Sequence, residues 1–111
     1  MDCLFCKIIN KEILADIIYE DDKVLVFKDI KPQAPIHFLA VPKQHIDSVI
    51  KINSENSNII SYIFEIIAKL AKEYSLENGF RVITNHGVDG GQTVNHLHFH
   101  LLGKKIFDDK M

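Results

Sequence analysis

The segment HLHFHLL, residues 96–102, alternates histidine with apolar residues and constrains the fold more than any other part of the chain. In a β-strand, alternate side chains share one face of the sheet and their neighbours occupy the other. The pattern therefore predicts a strand over residues 97–102. Its leucine and phenylalanine side chains would pack on the core, and the opposite face would carry His96, His98 and His100.

Four further short runs are typical of strands, because β-branched and aromatic residues are bounded by turn residues. The first two predict a hairpin, since only the charged residues 21–23 separate them. The runs cover residues 17–20, 24–27, 37–41 and 80–84.

Two segments show helical spacing of apolar residues. A short helix is predicted within residues 3–12, and a long amphipathic helix over residues 54–77. We expect Asn53 or Ser54 to cap the long helix and Gly79 to end it. Strands joined by turns with one long helix inserted predict an α+β domain with an antiparallel sheet of about five strands. The 111 residues suit a single domain, 1–111.

Composition excludes several classes of function. The net charge is −2, so the chain lacks the basic excess that stable nucleic-acid binding requires. It contains no apolar run of about 20 residues, and its first residues do not resemble a signal peptide. We therefore expect a cytoplasmic protein with no membrane or nucleic-acid partner.

The three alternating histidines are open to three interpretations. The interpretations are a polar strand face with incidental metal affinity, a three-histidine zinc site, and a nucleophilic centre. A neutral imidazole is a competent nucleophile near pH 7 and can attack phosphorus. The preceding loop, residues 85–95, favours the third interpretation. Gly90 and Gly91 allow backbone N–H groups to approach an anion, and Gln92 and Thr93 add side-chain donors.

Cys3 and Cys6 form a Cys-x-x-Cys pair near the N-terminus. Two thiolates at this spacing supply half of a tetrahedral zinc site. Thiols without a metal are the alternative. A thioredoxin-like redox motif fits poorly, because no βαβ pattern surrounds the pair.

The segment GGQTVNHLHFHLLG resembles the signature of the histidine-triad (HIT) family, in which three histidines alternate with apolar residues. CLFCKIINKEI and YEDDKVLVFKDIKPQAPIHFLAVPKQHI are similar to the Hint branch, the nucleoside phosphoramidate hydrolases. The resemblance runs from Cys3 to about Gly103. It implies a nucleotidyl-histidine mechanism that needs no catalytic metal, and a homodimer in which the sheets of two chains join.

The resemblance also assigns roles to individual residues. His98 matches the nucleophile, His100 the histidine that contacts the α-phosphate, and His37 a further histidine that helps to orient the nucleophile. Asp29 matches the acid that binds the ribose hydroxyls. The remaining nucleotide contacts implied are Phe5, Ile8, Phe27, Ile30, Asn85, Gly91, Gln92 and Thr93.

Some of these residues have structural alternatives. The apolar ones could be plain core, Asp29 could cap a turn before Lys31, and His37 could be a satisfied core histidine. His86 receives no role. For the metal, the resemblance implies a structural zinc held by Cys3, Cys6, His45 and His96.

The expected ligand is a purine nucleoside monophosphate whose phosphorus carries an amine. Two other functions stay open. One is a dinucleoside polyphosphate hydrolase of the same superfamily, and the other is a nucleotide-binding scaffold with incidental hydrolysis. Turnover of a phosphoramidate, compared with binding of the plain monophosphate, separates the enzyme from the scaffold.

Overall fold

The computed structural model describes residues 3–110, so residues 1, 2 and 111 of the predicted domain lie outside the described part. Its elements, in chain order, are α1 (Leu4–Ile9), β1 (Ile17–Glu20), β2 (Val24–Lys28), β3 (Ile36–Pro42), a 3-10 helix (Val49–Lys51), α2 (Ser57–Glu73), β4 (Phe80–Ile83) and β5 (Phe99–Gly103). Within residues 3–110, no helix has the length and apolar character needed to span a bilayer.

The five strands form one antiparallel sheet in the order β1-β2-β3-β5-β4. The strand that carries the last histidine is therefore an inner strand, paired on both sides. His100 lies opposite Leu39 of β3 and opposite Ile83 of β4. The predicted fold class, an α+β domain with five antiparallel strands, one long helix and one short N-terminal helix, is confirmed.

Each face of the sheet is covered by one helix. The long helix α2 packs on one face, where Val24, Phe38 and Leu101 are buried against Ile63 and Leu70. The short helix α1 covers part of the other face. Its Phe5 and Ile8 pack with Leu25, Phe27, Leu39 and Val41. Strand β2 is buried on both faces, which explains why its sequence is continuously apolar rather than alternating.

The predicted start of α2 was three residues too early. The helix begins at Ser57, and its N-cap residue, Asn56, makes no side-chain capping bond. Asn53 instead holds a turn, because its side-chain oxygen accepts bonds from the backbone N–H groups of Glu55 and Asn56. The 3-10 helix Val49–Lys51 before this turn was not predicted.

The predicted stop at Gly79 was also wrong. The helix ends at Glu73, and Ser75 takes the left-handed conformation with φ of 59°. The N–H of Leu76 donates to the carbonyl of Ala71, and the N–H of Ser75 donates to that of Lys72, which is the Schellman pattern. Gly79 lies further on, in the connection to β4, with φ of 145°.

Strand β5 begins at Phe99, so His96 and His98 precede the paired part of the strand that was predicted to start at residue 97. The backbone N–H of Leu97 donates to the carbonyl of Ile46, outside the sheet. The predicted alternation nevertheless continues through this segment, since Leu97, Phe99 and Leu101 all belong to the core under α2.

Candidate functional site

A cavity of about 320 Å³ opens on the α1 side of the sheet. Its walls come from α1, the end of β2, the glycine loop (residues 85–95) and the segment that carries His98 and His100. The cavity brings together eight of the predicted nucleotide-binding residues: Phe5, Ile8, Phe27, Asp29, Ile30, Thr93, His98 and His100. Most of the lining surface is apolar, and its polar residues are Lys28, Asp29, Thr93, His98 and His100.

Sequence reasoning missed part of the cavity wall. The connection after α1 contributes Ile13, Leu14 and Ala15, and Leu4, Lys28, Leu39 and Val94 complete the lining. Leu14 and Ile30 are 93% and 91% exposed, so these two apolar side chains line the cavity from its solvent side. An apolar tripeptide between a helix and a strand was the available signal.

His98 is held in one tautomer by its own backbone. Its Nδ1 atom lies 2.7 Å from the carbonyl oxygen of His96, and a carbonyl can only accept, so Nδ1 carries the proton. The Nε2 atom of the neutral ring is therefore left with its lone pair. Phe5 packs edge-on against the ring, with centroids 5.0 Å apart. Burial lowers the pKa of His98, so the neutral form prevails at neutral pH.

His100 is oriented by a chain of two hydrogen bonds. The backbone N–H of Gln33 donates to Nδ1 of His37 over 3.0 Å, so the proton of the neutral His37 ring is on Nε2. That Nε2–H donates to Nδ1 of His100 over 2.9 Å. His100 is consequently left with a proton on Nε2. Burial, reinforced by His98 and His37, lowers the pKa of His100 to about 4.

The place of His37 differs from the expectation that it orients the nucleophile. Within residues 3–110 its side-chain hydrogen bonds join it to His100 and Gln33, and none joins it to His98. The reason is register: His37 pairs with Leu102 across the β3–β5 ladder, so its side chain reaches the last histidine of the triad. Asp29 is close by, with Oδ2 3.5 Å from Nε2 of His37.

Asp29 also makes the turn contact that was its structural alternative. Its Oδ1 atom accepts the backbone N–H of Lys31 over 2.8 Å, which fixes the carboxylate at the edge of the cavity. The second oxygen, Oδ2, remains on the side of the histidines. One residue thus both shapes the turn and presents a carboxylate oxygen.

The glycine loop is tightly hydrogen-bonded within itself. The N–H groups of Gly91 and Gln92 donate to Val88 and Gly87, so neither of these two amides is directed at the cavity. A Cβ on Gly90 would overlap the carbonyl oxygen of His86, and Gly91 has φ of 75°, so both positions require glycine.

The Gln92 side chain is fully engaged, contrary to the expectation of a donor for phosphate. Its Nε2 donates to the carbonyls of Asp47 (2.8 Å) and Val94 (3.0 Å), and its Oε1 accepts the N–H of Gly87 (3.0 Å). Thr93, by contrast, lines the cavity and has no hydrogen-bond partner in the described part of the chain.

Three predicted contacts lie away from the cavity wall: Asn85, Gly91 and Gln92. Asn85 is half-buried directly after Thr84. The Thr84 hydroxyl donates to the backbone carbonyl of His98 over 2.8 Å, a contact that sequence reasoning did not find. It ties the residue that follows β4 to the backbone of His98.

The second cluster lies beside the first and consists of Cys3, Cys6, His45 and His96. The Sγ–Nδ1 distances are 3.5 Å for Cys3–His96, 3.3 Å for Cys6–His45 and 3.6 Å for Cys6–His96. The two Nδ1 atoms are 3.1 Å apart. Segments far apart in sequence therefore converge on one point, with helix α1 held against the sheet.

The tautomers of this cluster favour metal binding. Nε2 of His96 donates to the carbonyl of Pro42 (2.8 Å), and Nε2 of His45 donates to Oδ1 of Asp47 (2.9 Å). Each Nδ1 atom is therefore unprotonated and carries a lone pair, and the two Nδ1 atoms face each other. Burial lowers the pKa of His96 to about 4, while burial and Cys3 raise that of Cys6 to about 11.

The ligand spacing agrees with a tetrahedral ion. With Zn–N of about 2.0–2.1 Å and Zn–S of about 2.3 Å, a tetrahedron separates two nitrogens by roughly 3.3 Å, a nitrogen and a sulfur by roughly 3.6 Å, and two sulfurs by roughly 3.8 Å. Four of the six separations among the ligand atoms, 3.1–3.6 Å, are close to these values, and all six are within 4.8 Å. The residues present can thus bind a metal ion, and the cluster would leave no position open.

A third group, Asp29, His37 and His100, also places three ligand atoms within 4.8 Å of one another. Here the tautomers oppose metal binding. The Gln33 N–H occupies Nδ1 of His37, and Nε2 bears the proton donated to His100. The group is therefore a hydrogen-bond relay at the cavity.

A five-stranded antiparallel sheet with three alternating histidines beside an apolar cavity defines the class of histidine-triad domains. Comparisons with known proteins support this class. The family described as "Scavenger mRNA decapping enzyme C-term binding" matches residues 2–110. A HIT-like protein of Synechococcus elongatus is 45% identical over 102 residues, which are 92% of this chain and 90% of that protein. The chain belongs to the HIT family.

Solved structures resemble the chain over nearly its whole length. A HIT family hydrolase from Clostridium thermocellum has a TM-score of 0.96 and 47% identity, over 99% of this chain and 96% of that one. A histidine triad protein from Clostridium difficile has a TM-score of 0.95 and 51% identity, over 100% and 97%.

Proposed function

We propose that the protein is a purine nucleoside phosphoramidate hydrolase of the Hint branch, acting through a nucleotidyl-histidine. The observation that carries the proposal is the bond from Nδ1–H of His98 to the carbonyl of His96, because it leaves the Nε2 lone pair beside the cavity. The hydrolase named among the solved structures supports hydrolysis as the general reaction.

The proposed substrate occupies the cavity with its purine against the apolar wall. A volume of about 320 Å³ lies at the lower end of the range, roughly 300–1,000 Å³, for small-molecule sites. Phe5 and Phe27 supply aromatic surface for the base, and Asp29 Oδ2 accepts bonds from the ribose hydroxyls. The phosphate then lies at the histidine end, near Thr93.

The reaction proceeds in two displacements at phosphorus. The Nε2 lone pair of His98 forms an N–P bond, the P–N bond to the amine breaks, and the amine leaves with a proton taken up from water. A second water then attacks phosphorus and gives a proton to the hydroxide left by the first step, the His98 N–P bond breaks, and the electron pair returns to Nε2. The products are the nucleoside monophosphate and the amine, with one water consumed.

His100 stabilises the charge that develops on the phosphoryl oxygens. Its Nε2–H is the free donor of the relay that begins at Gln33, and its low pKa keeps the ring neutral across the working range. Donors that are fixed before the reaction need no rearrangement as charge develops. His37 acts through His100 and is a positioning residue.

We also propose that the Cys3, Cys6, His45 and His96 cluster holds zinc. Two thiolates and two imidazoles are the donor set of closed structural zinc sites, and the zinc would supply folding energy rather than reaction chemistry. The reacting atoms belong to His98 and the substrate, so the proposed mechanism uses no catalytic metal.

The chain is further proposed to be a single domain that pairs as a homodimer. Strand β4 is an edge strand, and Phe80 on it and Phe64 on α2 are 43% and 46% exposed. Unpaired strand edges and exposed aromatic residues are characteristic of a surface that is covered in the assembly. Light scattering should report twice the chain mass of 12.7 kDa.

The deciding experiment compares three substrates on the wild-type protein and on His98→Ala. Adenosine phosphoramidate, diadenosine tetraphosphate and AMP represent the proposed enzyme, its polyphosphate alternative and the scaffold. We expect fastest turnover of the phosphoramidate, and His98→Ala to lose turnover by several orders of magnitude while binding AMP within about tenfold of wild type. Tight AMP binding without turnover by the wild type would favour the scaffold.

A further inference from the structure

Four consecutive residues, 45–48, attach the metal cluster to the glycine loop, residues 85–95. His45 faces His96 across the cluster, with Nδ1 atoms 3.1 Å apart. The carbonyl of Ile46 accepts the N–H of Leu97 over 2.6 Å. Asp47 and Ser48 continue the series toward the loop. The carbonyl of Asp47 accepts Gln92 Nε2–H (2.8 Å), and the Ser48 hydroxyl lies 2.6 Å from Nδ1 of His86.

Of these four residues, Asp47 is the one that forms hydrogen bonds both to the metal cluster and to the glycine loop. Its carboxylate accepts Nε2–H of His45, and its backbone carbonyl accepts the amide of Gln92. The side chain is 58% exposed, so it contributes little to packing. Its carboxylate therefore acts through the His45 hydrogen bond rather than by filling space.

Gln92 transmits the position of Asp47 to the loop. Its amide joins Gly87, near the start of the turn, to Val94, beyond its end. The bond to Asp47 is the one hydrogen bond that this side chain makes outside the loop within residues 3–110. A shift of the Asp47 carbonyl would thus move the Gln92 side chain, which holds the two ends of the loop together next to Thr93.

The chemistry of a metal-ligating histidine explains why the carboxylate matters. A carboxylate that accepts the second ring N–H fixes the orientation of the ring and raises the basicity of the ligating nitrogen. When His45 is bound to a metal, its ring is fixed at both nitrogens, and Asp47 is fixed with it. Loss of the carboxylate frees the ring and the Asp47 backbone together.

We infer that Asp47 is a positioning residue that couples the metal cluster to the glycine loop, so that metal binding sets the loop beside the phosphate position. The inference rests on the proposed metal site and deepens the proposed function. It assigns Asp47 no contact with substrate. The residue acts through His45 on one side and Gln92 on the other.

The test compares Asp47→Ala with Asp89→Ala, both loaded with saturating zinc. Asp89 is exposed on the same loop and has no side-chain partner among residues 3–110, so the two variants lose the same charge. Zinc affinity is measured by competition with a chromophoric chelator. Loop order is measured as hydrogen exchange of the Gly87, Gly91 and Gln92 amides, each of which is hydrogen-bonded within the loop.

We expect Asp47→Ala to bind zinc about 10- to 100-fold more weakly than wild type. We also expect its three loop amides to exchange at least tenfold faster, while Leu39 and Leu101, in the β3–β5 ladder, keep their protection. Asp89→Ala should match wild type in both respects. Asp47→Glu, which keeps the carboxylate, should restore part of the zinc affinity and of the loop protection.

Two results would overturn the inference. The first is wild-type loop exchange in zinc-loaded Asp47→Ala, and the second is a wild-type protein that binds no zinc. Neither measurement uses a nucleotide or turnover, so an inactive wild-type protein would refute the proposed function without changing the exchange result.

Discussion

Replacing His37 tests the relay that orients His100. His37→Phe keeps a planar ring in the buried site but removes both the bond to His100 and the acceptor for Gln33. Gln33 is exposed, so water can replace its lost acceptor. Among residues 3–110, Nδ1 of His100 has no hydrogen-bond partner other than His37. The ring is then free to adopt the tautomer with the proton on Nδ1, which presents a lone pair to the phosphate.

The expected loss of turnover follows from one acceptor, Nδ1 of His100, that is left without a hydrogen bond in a half-buried site. Leaving a buried acceptor unsatisfied costs about 1–3 kcal/mol. At 1.36 kcal/mol for each factor of ten, turnover of adenosine phosphoramidate should fall roughly 5- to 150-fold. AMP affinity should fall with it, because the donor on His100 serves the monophosphate as well as the transition state.

His37→Gln provides the matched comparison. Its side-chain amide can donate to His100 in place of the imidazole Nε2–H, so this variant should recover most of the lost turnover. The assay is steady-state hydrolysis together with calorimetric AMP binding, and thermal unfolding checks that both variants fold. Turnover by His37→Phe within twofold of wild type would refute the relay, as would a His37→Gln variant equally impaired.

Three other predictions concern the zinc content, the residue that ends α2, and the pH dependence of stability. Protein purified without a chelator or a histidine tag should contain one zinc per chain by elemental analysis, and Cys3→Ser should lower both zinc content and melting temperature; near-zero zinc with unchanged melting would contradict the site. Ser75→Gly should raise the free energy of unfolding by about 0.5–1 kcal/mol, because relief of about 1–2 kcal/mol of left-handed strain at φ of 59° exceeds the roughly 0.4–1 kcal/mol that glycine costs through the freedom of the unfolded chain; urea denaturation that shows a loss would contradict this. The pKa of His100 is lowered to about 4 by burial, so between pH 6.5 and 4 the unfolded chain binds more protons than the folded chain, and the free energy of unfolding falls as pH falls. His100→Gln should flatten this pH dependence of the free energy of unfolding, measured by urea denaturation at several pH values. An unchanged slope would exclude His100 as its source.

The period-two histidine pattern predicted the face of the sheet correctly because it depends only on alternation. It misplaced the start of the strand, since the backbone of Leu97 bonds to Ile46, a partner 51 positions away that no local pattern reveals. The end of α2 was misplaced for a different, local reason. A Schellman turn normally favours glycine, and here Ser75 occupies the left-handed position that sequence reasoning gave to Gly79.

The site shows the same division between local and distant information. Eight of the residues that line the cavity could be named from the family resemblance, but the other seven, and the direction of each hydrogen bond, could not. Whether His37 reaches His98 or His100 depends on the register between β3 and β5. Whether Gln92 faces a phosphate or braces its own loop depends on the position of Asp47, 45 residues earlier.

Identification of the covalent intermediate tests the central claim most directly. Wild-type protein is mixed with adenosine phosphoramidate, quenched in alkali within the first turnover, digested and mapped by mass spectrometry. The account predicts one adenylyl group per chain on the peptide that contains His98, attached at Nε2, the nitrogen left free by the bond from Nδ1 to His96. Turnover without any adenylylated peptide, or an adenylyl group on His100 in place of His98, would contradict it.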